Sequence, residues 1–251
     1  MAYTDWLIGE FELEANATIV VNGNNAVIAA GSYYLRDATG SLSLVAVIQT
    51  ALQAHVASAT VVVRADRLVQ ISAAVALTLT IPASLRAVLG LPGSPSVGST
   101  VTASSVSTHL WSPGWQGTSM GHPRSVDARP VYDRVQTSSP TGLTTRTTVH
   151  GYTQVSGQRW NHVARERVWT SGVLGLPGEF ARFHADVLVP GYRWKLYRGI
   201  DEGASTAVTW TTAAGPYVAR DLADDWWTRD IPTSDIMTPI ELQSIITREI
   251  A

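Results

Sequence analysis

The chain contains no cysteine, which excludes disulfides, a thiolate nucleophile and Cys-ligated zinc. Lysine is almost as scarce: Lys195 is the only one, and the other seventeen of the eighteen basic residues (18 − 1) are arginine. Charge of either sign is thin, at 15% of residues, where an average soluble domain carries roughly 25%. The net charge of −2 supplies neither a basic field for nucleic acid nor an acidic tail. No run approaches the eighteen or so apolar residues of a membrane helix. "MAYTDWLIGEFELEAN" lacks the basic start and unbroken apolar stretch of a signal peptide. The expectation is a chain made in the cytoplasm, with no membrane span and no nucleic-acid partner.

What is present is apolar, β-branched and aromatic. Hydrophobic residues make up 45% of 251, enough to bury a sizeable core, in one large β domain or two ordinary ones. "ATIVVNGNNAVIAA" sets two β-branched runs around Asn22-Gly23, the strongest short hairpin signal, and "GSYYLRD" continues as a third strand. In "SLSLVAVIQTALQAHV" the period changes: Leu44, Val45, Ile48, Leu52 and Val56 fall at helical spacing, with Thr39 or Ser41 as cap. "SATVVVRADRLVQISAAVALTLTIP" reads as three short strands turning at Arg64-Ala65-Asp66, ended by Pro82. A short helix over "SLRAVLG", capped by Ser84, stops at Gly90, where a left-handed residue is needed.

The segment from Gly93 to Pro130, rich in Gly, Ser, Thr and Pro, reads as a long loop. Beyond it, "TTRTTVHGYTQVSGQRWNHVARERVWT" reads as two strands around Ser156-Gly157. "GEFARFHADVL" reads as a short helix or crossover, "YRWKLYRGI" and "STAVTWTTA" as strands, and the C-terminus as a helix opened by Thr238-Pro239. "LGLPG" occurs twice, at Leu89 and Leu174, without a longer match around it, so the repeat is punctuation and not duplication. The expected fold is mainly β (α+β): antiparallel, sandwich-like lobes with one amphipathic helix in the N-terminal half. The expected division is a hairpin, helix and meander lobe over 1–98, a linker over 99–130, and a Trp- and Arg-rich β lobe over 131–251.

Catalytic constellations are few. "GTSMG", Gly117 to Gly121, matches the G-x-S-x-G elbow, which would make Ser119 a serine-hydrolase nucleophile. Neither a preceding strand nor a following helix is legible there, and Pro123 and Pro130 oppose a helix. The six histidines (His55, His109, His122, His150, His162 and His184) show no H-E-x-x-H spacing. Asp221, Asp224 and Asp225 beside Trp226-Trp227 read as a polar loop before they read as a glycosidase pair. No cofactor and no metal is expected.

Two groups remain as binding candidates. Trp111 and Trp115 sit in the Gly/Pro-rich segment; tryptophan in a β-rich chain fills core space, and where exposed it anchors protein interfaces or stacks on sugars, as in carbohydrate-binding β modules. The outer face of the first helix, with Ser43, Ala46, Thr50 and Gln53, belongs to a stretch from Ser41 to Val63 that has no Asp, Glu, Lys or Arg. A helix face without charge is either covered by a partner or simply tolerates Ala and Gln, and the first reading makes it a candidate contact region.

The run "LVQISAAVALTLTIPASLRAVLGLPG", followed by "HLWSPGW" and "PGYRWKLYRG", resembles tailed-bacteriophage virion structural proteins of tail or baseplate type. The resemblance spans about a third of the chain and marks fold positions, so it transfers no site residues. It implies a non-enzymatic virion component, made in the host cytoplasm, whose partners are other virion proteins and copies of itself. The alternatives are a host-glycan-binding module through Trp111 and Trp115, and a serine hydrolase through Ser119.

Overall fold

The computed structural model describes residues 3–91, 93, 95–116, 126–138, 145–163, 178–200, 209–219 and 238–249; side chains are described over 5–112, apart from 92 and 94, and over 178–197. The protein is mainly β, with two antiparallel sheets and short helices.

The first strand, β1 (Tyr3–Leu13), organises the larger, eight-stranded sheet. β2 (Ala17–Val21) and β3 (Asn24–Ile28) leave it as a hairpin of the smaller, five-stranded sheet. Asn22 (φ 50) and Gly23 (φ 81) both take the left-handed conformation that a two-residue hairpin turn of this twist requires. β4 (Gly31–Tyr34) returns to pair with the end of β1, from Glu10↔Tyr34 to Leu13↔Gly31, and not with β3. The return is pinned where Ala30 N–H donates to Asn16 Oδ1 at 2.8 Å.

A 3-10 turn at Gly40–Leu42 delays the first helix, so α1 spans Leu44–Gln53 and its cap is Ser43, not Thr39 or Ser41. Leu44, Val45, Ile48 and Leu52 are its buried stripe. The expected three-stranded meander is two strands, β5 (Thr60–Val63) and β6 (Val69–Thr80). β6 runs on through Ala73–Ala76, where its register against the next strand shifts, and that bulge is what reads as a break in sequence. α2 (Ala83–Leu89) follows Pro82 and ends at Gly90 (φ 65) with Leu85, Val88 and Leu89 inward. The cap is Pro82 rather than Ser84.

The segment expected as a loop is largely strand: β7 (Ser96–Thr102) lines the far side of β6, and β8 (Leu110–Gln116) lines β1. Composition is overruled here because both neighbours offer backbone groups that need partners. β9 (Val126–Ser138), β10 (Thr145–Val163), β11 (Trp194–Ile200), β12 (Thr209–Ala219) and β13 (Thr238–Glu249) complete the larger sheet. β10 is one strand of 19 residues, not two. It is paired on both sides, and Gly157 marks a register shift against β9 instead of a turn. The expected C-terminal helix is β13, whose alternating Ile240, Leu242 and Ile246 suit a ladder; Pro239 falls at its register shift with β10. α3 (Glu179–Phe183) runs into a π-helical turn, His184–Leu188. The second "LGLPG" lies outside the described residues, apart from its last glycine, Gly178, which caps α3.

The main core gathers Trp6 and Ile8 of β1, Ile19, Val21 and Ile28 of the hairpin, Ile48 and Leu52 of α1, Ile71, Leu77 and Leu79 of β6, and Leu85 and Leu89 of α2. The opposite face of β1 carries Leu7 and Gly9, joined by Trp111 of β8 and Trp194 of β11 through the pairs Leu7↔Trp111 and Gly9↔Trp194. Phe180, Phe183, Val187 and Leu188 cover this second layer. Phe180 meets Trp111 edge-on at 4.7 Å between ring centres, and a Cβ on Gly9 would overlap the Val187 side chain.

The first "LGLPG" therefore stops a helix and also docks a chain segment. Ser104 and Ser105 N–H groups donate to Gly90 O at 3.0 and 3.3 Å, and a Cβ on Gly90 would overlap the Ser105 carbonyl oxygen. Gly23 has the same left-handed backbone with nothing within 4 Å. Gly23→Ala is expected to cost about 1 kcal/mol, and Gly90→Ala several times as much, measured by urea unfolding of both variants. Equal costs would show that the Ser105 contact is not tight.

Candidate functional site

A cluster of ionisable side chains lies where β1, β4, the turn after β4 and β11 meet. Strand register builds it. On β1, residues Trp6, Ile8 and Glu10 share a face, and their partners across the ladders are Tyr197, Lys195 and Tyr34. Lys195, the only lysine, thereby stands over the Tyr34 ring, with Nζ 4.5 Å from its centre. Its Nζ donates to Asp37 Oδ2, the Tyr197 hydroxyl donates to the same oxygen at 2.9 Å, and Thr39 N–H donates to Oδ1 at 2.8 Å. The Asp37 side chain is 2% exposed and that of Lys195 19%.

Beside it, Arg193 grips Glu10 with both prongs, Nε to Oε2 at 2.9 Å and Nη2 to Oε1 at 2.6 Å. The Arg193 backbone N–H adds a third donor to Oε2 at 3.3 Å. A third ion pair, Arg67 with Glu179, joins the β5–β6 turn to the start of α3. Arg67 sits at φ 71, a conformation costly for a side-chain-bearing residue, held by Arg67 N–H donating to Arg64 O at 2.9 Å.

The electrostatics follow from this geometry. Burial pushes the Asp37 carboxyl up, but the hydrogen bonds from Lys195, Thr39 and Tyr197 outweigh it and hold it below its usual range. Burial, then the charge of Glu10, raises Tyr34 to about 12. Burial and the hydrogen bond to Asp37 raise Tyr197 as well. The hydrogen bond to Glu10 raises Arg193. The acids are matched by donors within the cluster, and both phenols are held protonated. Such a cluster clasps distant segments together. Among the described residues no group of three His, Asp or Glu side chains could hold a metal ion.

The sequence-derived candidates lie elsewhere. Ser43 is buried and bridged to Tyr34, so it does not reach the surface. Ala46 is half-buried, while Thr50 and Gln53 are exposed. The Thr50 hydroxyl donates to Ala46 O at 3.0 Å and Gln53 Nε2 to Ala59 O at 2.8 Å, so the polar groups of this face serve the fold. Trp111 is fully buried, which removes it as a sugar platform or a surface anchor. Trp115 pairs through its backbone with Thr4, and its side chain lies outside the described residues. So do Ser119, His122, the acids 221, 224 and 225, and Trp226-Trp227. No spacing rule links Asp37 to Lys195; the one legible signal was the solitary lysine itself.

Comparison with known proteins finds no matching family model, no matching curated protein and no matching solved structure. No helix of the described residues is long and apolar enough to cross a membrane.

The titrating groups make stability depend on pH. His109 is buried against Phe11, at 5.5 Å between ring centres, and burial lowers it to about 4. Below about pH 6.5 the unfolded chain gains a proton there that the folded chain refuses, a loss reaching about 3 kcal/mol near pH 4. Asp37, held low in the folded state, adds a further loss only at more acid pH. Tyr34 acts at the other end: the unfolded phenol ionises from about pH 10, before the folded one. Stability is expected to be greatest between these limits, measured by urea unfolding across pH. His109→Gln is expected to remove the first acid limb and leave the alkaline one; an unchanged acid limb would contradict the assignment.

Proposed function

We propose that this chain is a non-enzymatic structural subunit of a phage-like virion, of tail or baseplate type, that works by contact with copies of itself and other virion proteins. The observation that carries this reading is an exposed sheet surface without charge. Between Glu14 and Arg124 the only Asp, Glu, Lys or Arg residues are Arg36, Asp37, Arg64, Asp66, Arg67 and Arg86. None of them lies on β2, β3, β6 or β7. The outward side of the small sheet is instead Val27, Thr78, Thr80, Val97 and Thr100, all exposed. Charge depletion is the compositional signature of an interface centre, whereas a face that stays in water is normally studded with charge.

The resemblance carried by β6, α2 and the strand at Trp194 supplies the kind of assembly. The glycan-binding alternative is weakened by the enclosure of Trp111.

The test is to raise antibodies against the chain and look for it in density-purified particles from its source, by immunogold microscopy and quantitative mass spectrometry. The expected result is labelling at one part of the particle, at several copies per particle. Absence from particles while the protein is abundant in the lysate would overturn the proposal.

A further inference from the structure

The small sheet ends in three strand edges, and two of them are capped from within. On β5, Val61 N–H donates to Gln49 Oε1 at 2.9 Å, and Gln53 Nε2 reaches Ala59 O, just before the strand, at 2.8 Å. On β3, His55 Nε2 lies 3.1 Å from Asn25 O. All three capping side chains come from α1 and its last turn. The third edge, β7, has no such cover among the described residues. It pairs with β6 on one side only, and Val97, Ser99 and Thr100 are exposed, Val97 at 74%.

Bare edges invite another strand, and proteins commonly blunt them with lysine, proline or charge. β7 reads SVGSTVT and has none of these; no charged residue occurs between Arg86 and Arg124. None of its residues is proline, so the N–H groups on the side away from β6 can donate to a further strand.

We propose that β7 is a pairing edge that takes up β7 of a second copy of this chain, antiparallel across a two-fold axis, so that two small sheets become one. Two-fold antiparallel pairing sets the two halves of the strand against each other, residue i on j and j on i, so like charges on the strand would repel across the axis; SVGSTVT carries none. A charged foreign strand would find no opposite charge to meet. A seven-residue edge falls well short of the roughly 1,200 Å² that a stable isolated interface buries. The contact is therefore weak alone and becomes occupied where copies are held at high local concentration. The proposal rests on the assembly reading above and names its contact.

The test is sedimentation velocity over rising concentration for the full chain and for Val97→Lys/Thr100→Lys, with hydrogen exchange read over Ser96–Thr102. Both positions are exposed, so the variant is expected to unfold at the wild-type temperature; Ser99→Glu serves in its place if it does not. The expected result is a wild-type dimer with protected β7 amides, weakened about tenfold or more by the substitutions (~1.4 kcal/mol). A wild-type chain that stays monomeric throughout would overturn the proposal. So would association that persists in the variant with β7 unprotected, although that outcome leaves the assembly reading standing through another surface. Absence from particles removes the assembly reading whether or not β7 pairs.

Discussion

The larger sheet depends on one strand that is paired on both sides from Tyr3 to Ile8. β1 is flanked from Tyr3 to Ile8 by β8 and to Gly9 by β11, and β4 takes over from Glu10. Its two faces are buried as well, Trp6 and Ile8 in the main core and Leu7 under the α3 segment. A strand enclosed in this way must satisfy all its backbone groups and bury nearly all its side chains. Its two buried acids cannot be left to solvent. Glu10 is gripped by Arg193, and Gly9 is small because Val187 presses onto the strand. The position of β11 on β1 in turn places Lys195 above Tyr34 and within reach of Asp37.

Among the described residues, three ion pairs stand at such joints. Glu10–Arg193, Asp37–Lys195 and Arg67–Glu179 each connect segments more than a hundred residues apart in sequence. Removing Lys195 would leave the Asp37 carboxylate, 2% exposed, without its cation, a change that typically costs about 3–5 kcal/mol. Arg193 is 54% exposed, so its pair with Glu10 is worth less. The small sheet presents Val, Ser and Thr outward. Scarcity of charge in composition thus becomes, through packing, an uncharged surface suited to contact.

Much of the small sheet was legible in the sequence because its signals are local. Asn22-Gly23 fixes a hairpin through backbone conformation alone, Gly90 ends a helix the same way, and the apolar period of α1 gives its buried face. What sequence reading missed was set by neighbours. β7 and β8 are strands because β6 and β1 need partners, although their composition reads as loop. β13 is a strand because β10 lies beside it, although Thr238-Pro239 reads as a helix start. For Trp111 the sequence leaves core, interface and sugar platform open, and it is enclosed because Leu7 and Phe180 close over it. The Asp37–Lys195 clasp depends on a register between strands that begin at residues 3 and 194, which no local spacing encodes.

The central claim is that β1 is the shared element on which both layers are built, and residue-resolved native-state hydrogen exchange tests it most directly. The amides of Leu7 and Ile8 are expected to exchange only through global unfolding, with an opening free energy equal to that from denaturant unfolding. If they open at lower energy while the β2, β5 and β6 amides stay protected, the small sheet holds its structure without β1, and the account is wrong.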